Sequence, residues 1–301
     1  MHRGISLHVG INKASSAFPG AATLSGPEND ATEMEKIAAA KGFDTRDLLL
    51  GSDATYALVT ARIYSASAQL EAGDIFLFTF AGHGFQKVDR DRDEPDRLDE
   101  TILLYDVELR DDVLRKELWP RFNAGVRVLM IADSCHSGSV FLIPPDPADP
   151  AANEGGSNLN ALIAAEAVLA AINDVDEFAI RTRDGLIART ILHSTHGRHM
   201  NEYGEFYRNT LLPADKPPIN ASLLLLAACA DNEVTGDGPD NGVFTTAMLN
   251  VLRNSDPTSY CNFRNLIEAD LQLNGHTQTP VLQSGGVIDP AFRDQRPFTI
   301  D

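Results

Sequence analysis

Two side chains in this 301-residue sequence have types and settings suited to covalent chemistry. His83 follows the apolar run Ile75–Phe80 and stands between glycines in Ala81-Gly82-His83-Gly84; Cys135 follows the run Val126–Ala132 in Asp133-Ser-Cys-His-Ser-Gly138. A thiolate attacks carbonyl carbon well once an imidazole can take its proton, and the same imidazole can pass that proton to a leaving amine. The pair therefore suits amide-bond hydrolysis. Glycines near both residues leave main-chain N–H groups accessible, so those of Gly84 and Cys135 are candidates for an oxyanion hole. Each residue alone has a plainer reading, His83 as a satisfied strand-end histidine and Cys135 as a small core residue. Against the second, four of the six residues in Asp133–Gly138 carry polar groups that would need partners in a core. Cys229 and Cys261 read as structural. His193, His196 and His199 lie in an irregular stretch and read as a solvated loop.

Positioning this pair requires a scaffold. Apolar runs alternate with helical patterns: a strand at Ile5–Ile11, a capping-box-like Asp30-Ala-Thr-Glu33 before a helix that stops at Gly42, and a short strand at Leu48–Leu50. A helix from about Thr55 precedes the run at Ile75, and another around Asp112–Trp119 precedes the run at Val126. Those two runs are apolar on nearly every residue, as in a parallel sheet covered on both faces. Sheet-like pattern resumes at Ser222–Cys229, followed by helices at Phe244–Leu252 and Asn262–Leu273 and a last strand at Pro280–Gln283. The expected fold is α/β, a mostly parallel six-stranded sheet with helices on both faces. His83 and Cys135 then stand at carboxyl ends of strands, where such sheets place their working residues. The expected organisation is one domain over residues 1–301: residues 1–139 with the His/Cys pair, an insertion at 140–221, and a smaller part at 222–301.

The 25 basic and 43 acidic side chains leave a formal charge of −18, and no Lys/Arg-rich run appears, which argues against a nucleic-acid surface. Nothing reads as a signal peptide or a membrane span, and the three cysteines form neither a metal-type pair nor a disulfide framework. A cytoplasmic protein with no membrane partner is expected. Residues 89–112 hold 11 acids against 4 bases, and residues 128–180 hold 8 acids and no base. Such a field attracts cations and basic side chains. The alternation Asp89, Asp91, Asp93 lacks the glycine and terminal glutamate of an EF-hand, and a solvated charged loop is the plain reading of that run.

Phe80-Ala-Gly-His-Gly84 and Asp133-Ser-Cys-His-Ser-Gly138 resemble the histidine and cysteine motifs of the caspase-like cysteine peptidases, within them the metacaspase and orthocaspase branch. Gly26-Pro-Glu-Asn-Asp-Ala31, Ala228-Cys-Ala-Asp-Asn-Glu233 and Gly242-Val-Phe-Thr-Thr-Ala247 are similar to further motifs of that branch, with Pro27 and Ala81 standing where it carries Cys and often Ser. The resemblance implies a caspase-like fold and a cysteine endopeptidase with Cys135 as nucleophile and His83 as general acid/base. It implies that Asp30 and Asp133, with Asp231 as a further candidate, line the pocket for the residue before the cleaved bond. A carboxylate pair favours a guanidinium over another acid, so protein or peptide substrates with Arg or Lys at that position are expected. The resemblance also implies calcium activation through Asp99, Asp111 and Asp112, and a monomer. Arg181, Arg183, Arg189 and Arg198 make the insertion a candidate for self-cleavage. Two alternatives stand beside this reading: a catalytically silent, peptide-binding or signalling protein of the same fold, and a cysteine hydrolase of small amides.

Overall fold

The structure, a computed structural model, describes residues 2–16, 18, 21–88, 98–135, 181–182, 185–191, 217–230 and 233–301. In chain order it contains β1 (Gly4–Gly10), α1 (Pro27–Ala40), β2 (Thr45–Leu50), α2 (Tyr56–Gln69) and β3 (Ile75–Ala81). Next come β4 (Gly84–Val88), β5 (Leu98–Leu103), β6 (Glu108–Arg110), α3 (Asp111–Val113) and β7 (Arg127–Asp133). The remainder comprises β8 (Ile187–Ala188), β9 (Ser222–Ala227), β10 (Gly236–Asp237), α4 (Val243–Asn254), α5 (Tyr260–Leu273), β11 (Val281–Gly286) and α6 (Pro290–Asp294).

Six strands form the central sheet in the order β11-β9-β7-β3-β1-β2, parallel except for β11. This is the expected α/β architecture. Because side chains alternate across a strand, each run splits between two cores. Phe76, Phe78 and Phe80 of β3, with Val128 and Met130 of β7, pack beneath Val59 and Ile63 of α2 and against Trp119 and Phe122. Ile75 and Leu77 of β3, with Leu129 and Ile131 of β7, face Met34 of α1, Phe244 and Met248 of α4, and Phe263 and Ile267 of α5. Phe76 and Phe122 stack with ring centroids 5.2 Å apart. Burying one such aromatic side chain contributes about 2–3 kcal/mol, so the strands that carry the site belong to the most firmly held part of the molecule.

Two expectations need correction. The capping box at Asp30 is not a helix start: α1 begins at Pro27, and Gly26, without a side-chain cap, precedes it. Proline at the first helical position gives up no needed N–H, so the helix opens four residues earlier and Asp30 falls inside its first turn. The stretch after His83 is not simply a loop, because β4, β5 and β6 pair antiparallel in a separate small sheet. Among the described residues no helix is long and apolar enough to cross a membrane.

Candidate active site

Register brings the two reactive residues together. β3 and β7 are parallel neighbours with Ala81 opposite Asp133, so His83 and Cys135 each stand two residues past a paired position. Neighbouring strands lie about 4.8 Å apart, which sets both side chains over one edge of the sheet. Gly82, with φ of 156°, makes the turn that carries the chain from β3 to His83. His83 is buried, and its Nε2 donates to the Ala22 carbonyl at 2.7 Å. The Leu103 N–H donates to the His83 carbonyl at 2.9 Å and so ties β5 to the histidine.

The cleft between these residues holds a segment of the chain itself. β8 pairs antiparallel with β10, Ala188 opposite Gly236 and Ile187 opposite Asp237, and Thr190 bridges to Gly84. The Arg189 N–H donates to the Thr235 carbonyl at 3.1 Å. The Arg189 carbonyl oxygen in turn accepts from the Gly84 N–H at 2.9 Å and the Cys135 N–H at 3.3 Å. These are the two N–H groups expected to form an oxyanion hole, and they converge on one carbonyl of the insertion.

The Arg189 side chain enters a pocket of three carboxylates and is fully buried. Its Nη2 donates to Asp30 at 2.6 Å and Asp237 at 3.0 Å, and its Nη1 lies 3.2 Å from the Asp133 carboxylate and donates to the Asp133 carbonyl at 3.1 Å. The carboxylates have further donors. Asp30 accepts from Asn241 Nδ2 at 2.8 Å and the Gly242 N–H at 3.0 Å, and Asp133 from the Thr245 hydroxyl at 2.7 Å and N–H at 3.1 Å. Asp237 accepts from the Ser25 and Gly26 N–H groups at 2.6 and 3.1 Å. Gly242 and Thr245 belong to the opening turn of α4, whose partial positive charge helps to hold anions there. Glycines line the pocket with bare main chain: a Cβ on Gly26 would approach Arg189 Nη2 to 2.8 Å, and one on Gly242 would approach its Cζ to 2.6 Å.

Burial sets the protonation states. It pushes the Cys135 thiol up to about 12, an effect that the Thr235 main chain and the Arg189 charge only partly oppose. The thiol accepts from the Thr235 N–H at 3.3 Å and donates toward the Thr235 carbonyl at 3.6 Å. Burial likewise lowers His83 to about 4 against the opposing Ala22 carbonyl, so thiol and imidazole are both neutral in this state. Asp30 is pushed up to about 6 by burial, with the Arg189 charge pulling the other way and Asp133 adding to the rise. Burial also works against the Arg189 charge, yet Asp133, Asp30 and Asp237 outweigh it and hold the guanidinium protonated.

Of the residues singled out in the sequence, His83, Gly84, Cys135, Asp30 and Asp133 meet at this cleft; Asp231 lies outside the described residues. Asp99 stands opposite Lys87 in the main-chain register of β4 and β5, while Asp111 and Asp112 are buried at the start of α3. Asp112 forms an ion pair with Lys116 at 2.6 Å, and among the described residues no three His, Cys, Asp or Glu side chains gather as a metal site. The run Asp89–Asp96, the three insertion histidines, Arg183 and Arg198 also lie outside the described residues. Sequence reasoning missed Asp237 and Thr235. One signal was present: Leu186-Ile-Ala-Arg-Thr-Ile191 is an apolar, β-prone stretch around a single arginine inside the insertion.

The family described as Caspase domain matches residues 3–292. Metacaspase-1 of Candida albicans is 25% identical over 88% of this chain, and Metacaspase-1 of Mycosarcoma maydis 25% identical over 94%. The chain spans 62% of the first of these relatives and 71% of the second. Among solved structures, protein GSU0716 of Geobacter sulfurreducens is 33% identical with a TM-score of 0.74, covering 99% of both chains.

Proposed function

The chain belongs to the caspase-domain family of peptidases, and from that premise we propose that it is a cysteine endopeptidase cleaving after arginine, with its own Arg189–Thr190 bond as a first substrate. One observation carries this reading: the Arg189 carbonyl oxygen accepts from the Gly84 and Cys135 N–H groups while its guanidinium reaches three carboxylates. Two N–H donors at a carbonyl oxygen stabilise the charge that develops when its carbon is attacked. Cys135 Sγ forms a bond to the Arg189 carbonyl carbon, and the thiol proton passes to the neutral His83 imidazole. His83 then gives that proton to the Thr190 nitrogen as the C–N bond breaks. Water, deprotonated by His83, cleaves the thioester and restores the thiol.

The pocket supports arginine over lysine. Two guanidinium nitrogens engage three carboxylates at once, a fork that a single ammonium cannot reproduce. An acidic side chain there would add a fourth buried negative charge, which argues against cleavage after aspartate. Calcium activation belongs to the same proposal.

The intact mass and N-terminal sequence of the incubated protein test the reading, with Cys135→Ala as control. Wild type yields a fragment beginning at Thr190, at a rate independent of protein concentration, and Cys135→Ala stays whole. A wild-type chain that is never cut, or is cut elsewhere in Cys135→Ala as well, overturns it. The neutral thiol resting on Thr235 favours a second reading, in which residues 186–191 close the cleft of a protein that does not turn over. An intact chain that also fails to hydrolyse arginyl peptides supports that alternative.

A further inference from the structure

Beyond the arginine pocket, the resident segment fills a second, apolar pocket. Ile191, two residues past the Arg189 carbonyl, is 6% exposed and packs in a cluster with Phe18, Phe85 and Leu103, flanked by Ala14 and Ala21. This cluster is separate from the two cores of the central sheet. Phe85 comes from β4, Leu103 from the end of β5, and Phe18 from the segment between β1 and α1. We propose that Phe18, Phe85 and Leu103 form a specificity pocket on the leaving-group side of the scissile bond, selecting substrates with a large aliphatic residue at the second position after the cleaved arginine. The inference rests on the reading of Arg189–Thr190 as a bound scissile bond, and it adds a requirement that reading does not contain.

Three features make this a substrate pocket and not merely packing of the uncut chain. Its walls come from elements present whether or not the insertion is cut, while Ile191 comes from the piece that begins at Thr190 after cleavage. Withdrawal of Thr190 and Ile191 from the cleft after cleavage would leave two phenylalanines and a leucine facing it, an apolar surface that a matching substrate residue can cover. The walls are also joined to the general acid/base. The Leu103 N–H holds the His83 carbonyl, the residue after Gly84 is Phe85 itself, and the Ala21 N–H bonds to the Phe18 carbonyl one residue before the Ala22 carbonyl that receives His83 Nε2. A filled pocket therefore steadies the histidine as well as gripping the substrate, so its effect extends to kcat. Thr190 is buried and narrowly confined between the two pockets.

Quenched fluorescent peptides of sequence Leu-Ile-Ala-Arg-Thr-Xaa, with Xaa as Ile, Leu, Ala, Gly or Asp, test the inference on the full-length protein. A single-residue arginyl amide with a chromogenic leaving group, which has nothing on the leaving side, runs in parallel. We expect kcat/KM to be about tenfold or more higher for Ile or Leu than for Gly, with Asp lowest, from the area an aliphatic side chain buries. The Phe18→Ala variant compresses the Ile/Gly ratio toward one. Equal rates for Ile and Gly peptides in wild type, with the arginyl amide cleaved, overturn the pocket and leave arginine specificity standing. No cleavage of any arginyl substrate overturns the underlying reading instead. The Ile/Gly ratio is internal to one enzyme preparation, so poor folding of Phe18→Ala does not weaken it.

Discussion

Replacing Gly242 with alanine tests the arginine pocket at its narrowest point. Gly242 has φ of −59° and ψ of 154°, which alanine adopts freely, so the main chain needs no change. The new Cβ, however, would stand 2.5 Å from an Asp133 oxygen and 2.6 Å from Arg189 Cζ. Something must move. Asp133 is held by the Thr245 hydroxyl and N–H, whereas the guanidinium is the free end of a flexible side chain, so the arginine is displaced. Displacement breaks the Nη2 bonds to Asp30 and Asp237 and lengthens the contact with Asp133. Charged hydrogen bonds contribute about 1.5–3 kcal/mol each, so losing two costs about 3–6 kcal/mol, on the order of 10²- to 10⁴-fold in kcat/KM for arginyl substrates. Steady-state hydrolysis of an arginyl amide, with circular dichroism to verify folding, reads this directly, and self-cleavage after Arg189 should slow in parallel. A folded Gly242→Ala protein that hydrolyses the arginyl amide within about threefold of wild type would refute the assignment of this pocket.

Acidification should compete with arginine. The Arg189 charge pulls Asp30 down against the effect of burial, so guanidinium binding favours the ionised carboxylate and protonation disfavours binding. With arginine in place Asp30 lies at about 6, so KM for arginyl peptides is expected to rise as pH falls toward about 6, and Asp30→Asn should raise KM at neutral pH and flatten that limb; a KM independent of pH across this window contradicts the argument. The thiol offers a separate readout. With the resident strand in place Cys135 sits near 12 instead of its ordinary 9.0, so at neutral pH Arg189→Ala, which loosens the strand and lets water in, should speed alkylation by iodoacetamide by up to about 10³-fold. Equal alkylation rates for the two proteins would show that residues 186–191 do not shield the nucleophile. Calcium added back to chelator-treated protein should increase self-cleavage and peptide hydrolysis, and activity unchanged in excess chelator eliminates calcium activation.

Much of the scaffold was readable in advance because its signals are local. β3 and β7 are apolar on both faces, a pattern that a strand covered on both sides requires, and each is followed in the sequence by a polar segment that contains glycine. The positions of His83 and Cys135 follow from those endings and from the rule that parallel sheets work at their carboxyl edge. Asp30 was found for its place in a motif but assigned the wrong helix boundary, since a proline-initiated helix and a capping box leave similar traces four residues apart. The small sheet β4–β6 was hidden because its strands flank and include part of a highly charged stretch, whose composition reads as solvated loop.

What the sequence by itself determined is the sheet, its covered faces and the two strand ends that carry a histidine and a cysteine. Hydrophobic period and turn chemistry express these within a few residues. Tertiary structure alone decided that Arg189, one of four arginines considered in the insertion, lies in the cleft, and that Asp237 completes its pocket. Asp30, Asp133 and Asp237 come from a helix turn and two strands, and Arg189 stands 159, 56 and 48 residues from them along the chain. No periodicity encodes such a meeting. It arises because a buried guanidinium persists only where enough carboxylates converge to offset its desolvation, a condition set by the packed molecule.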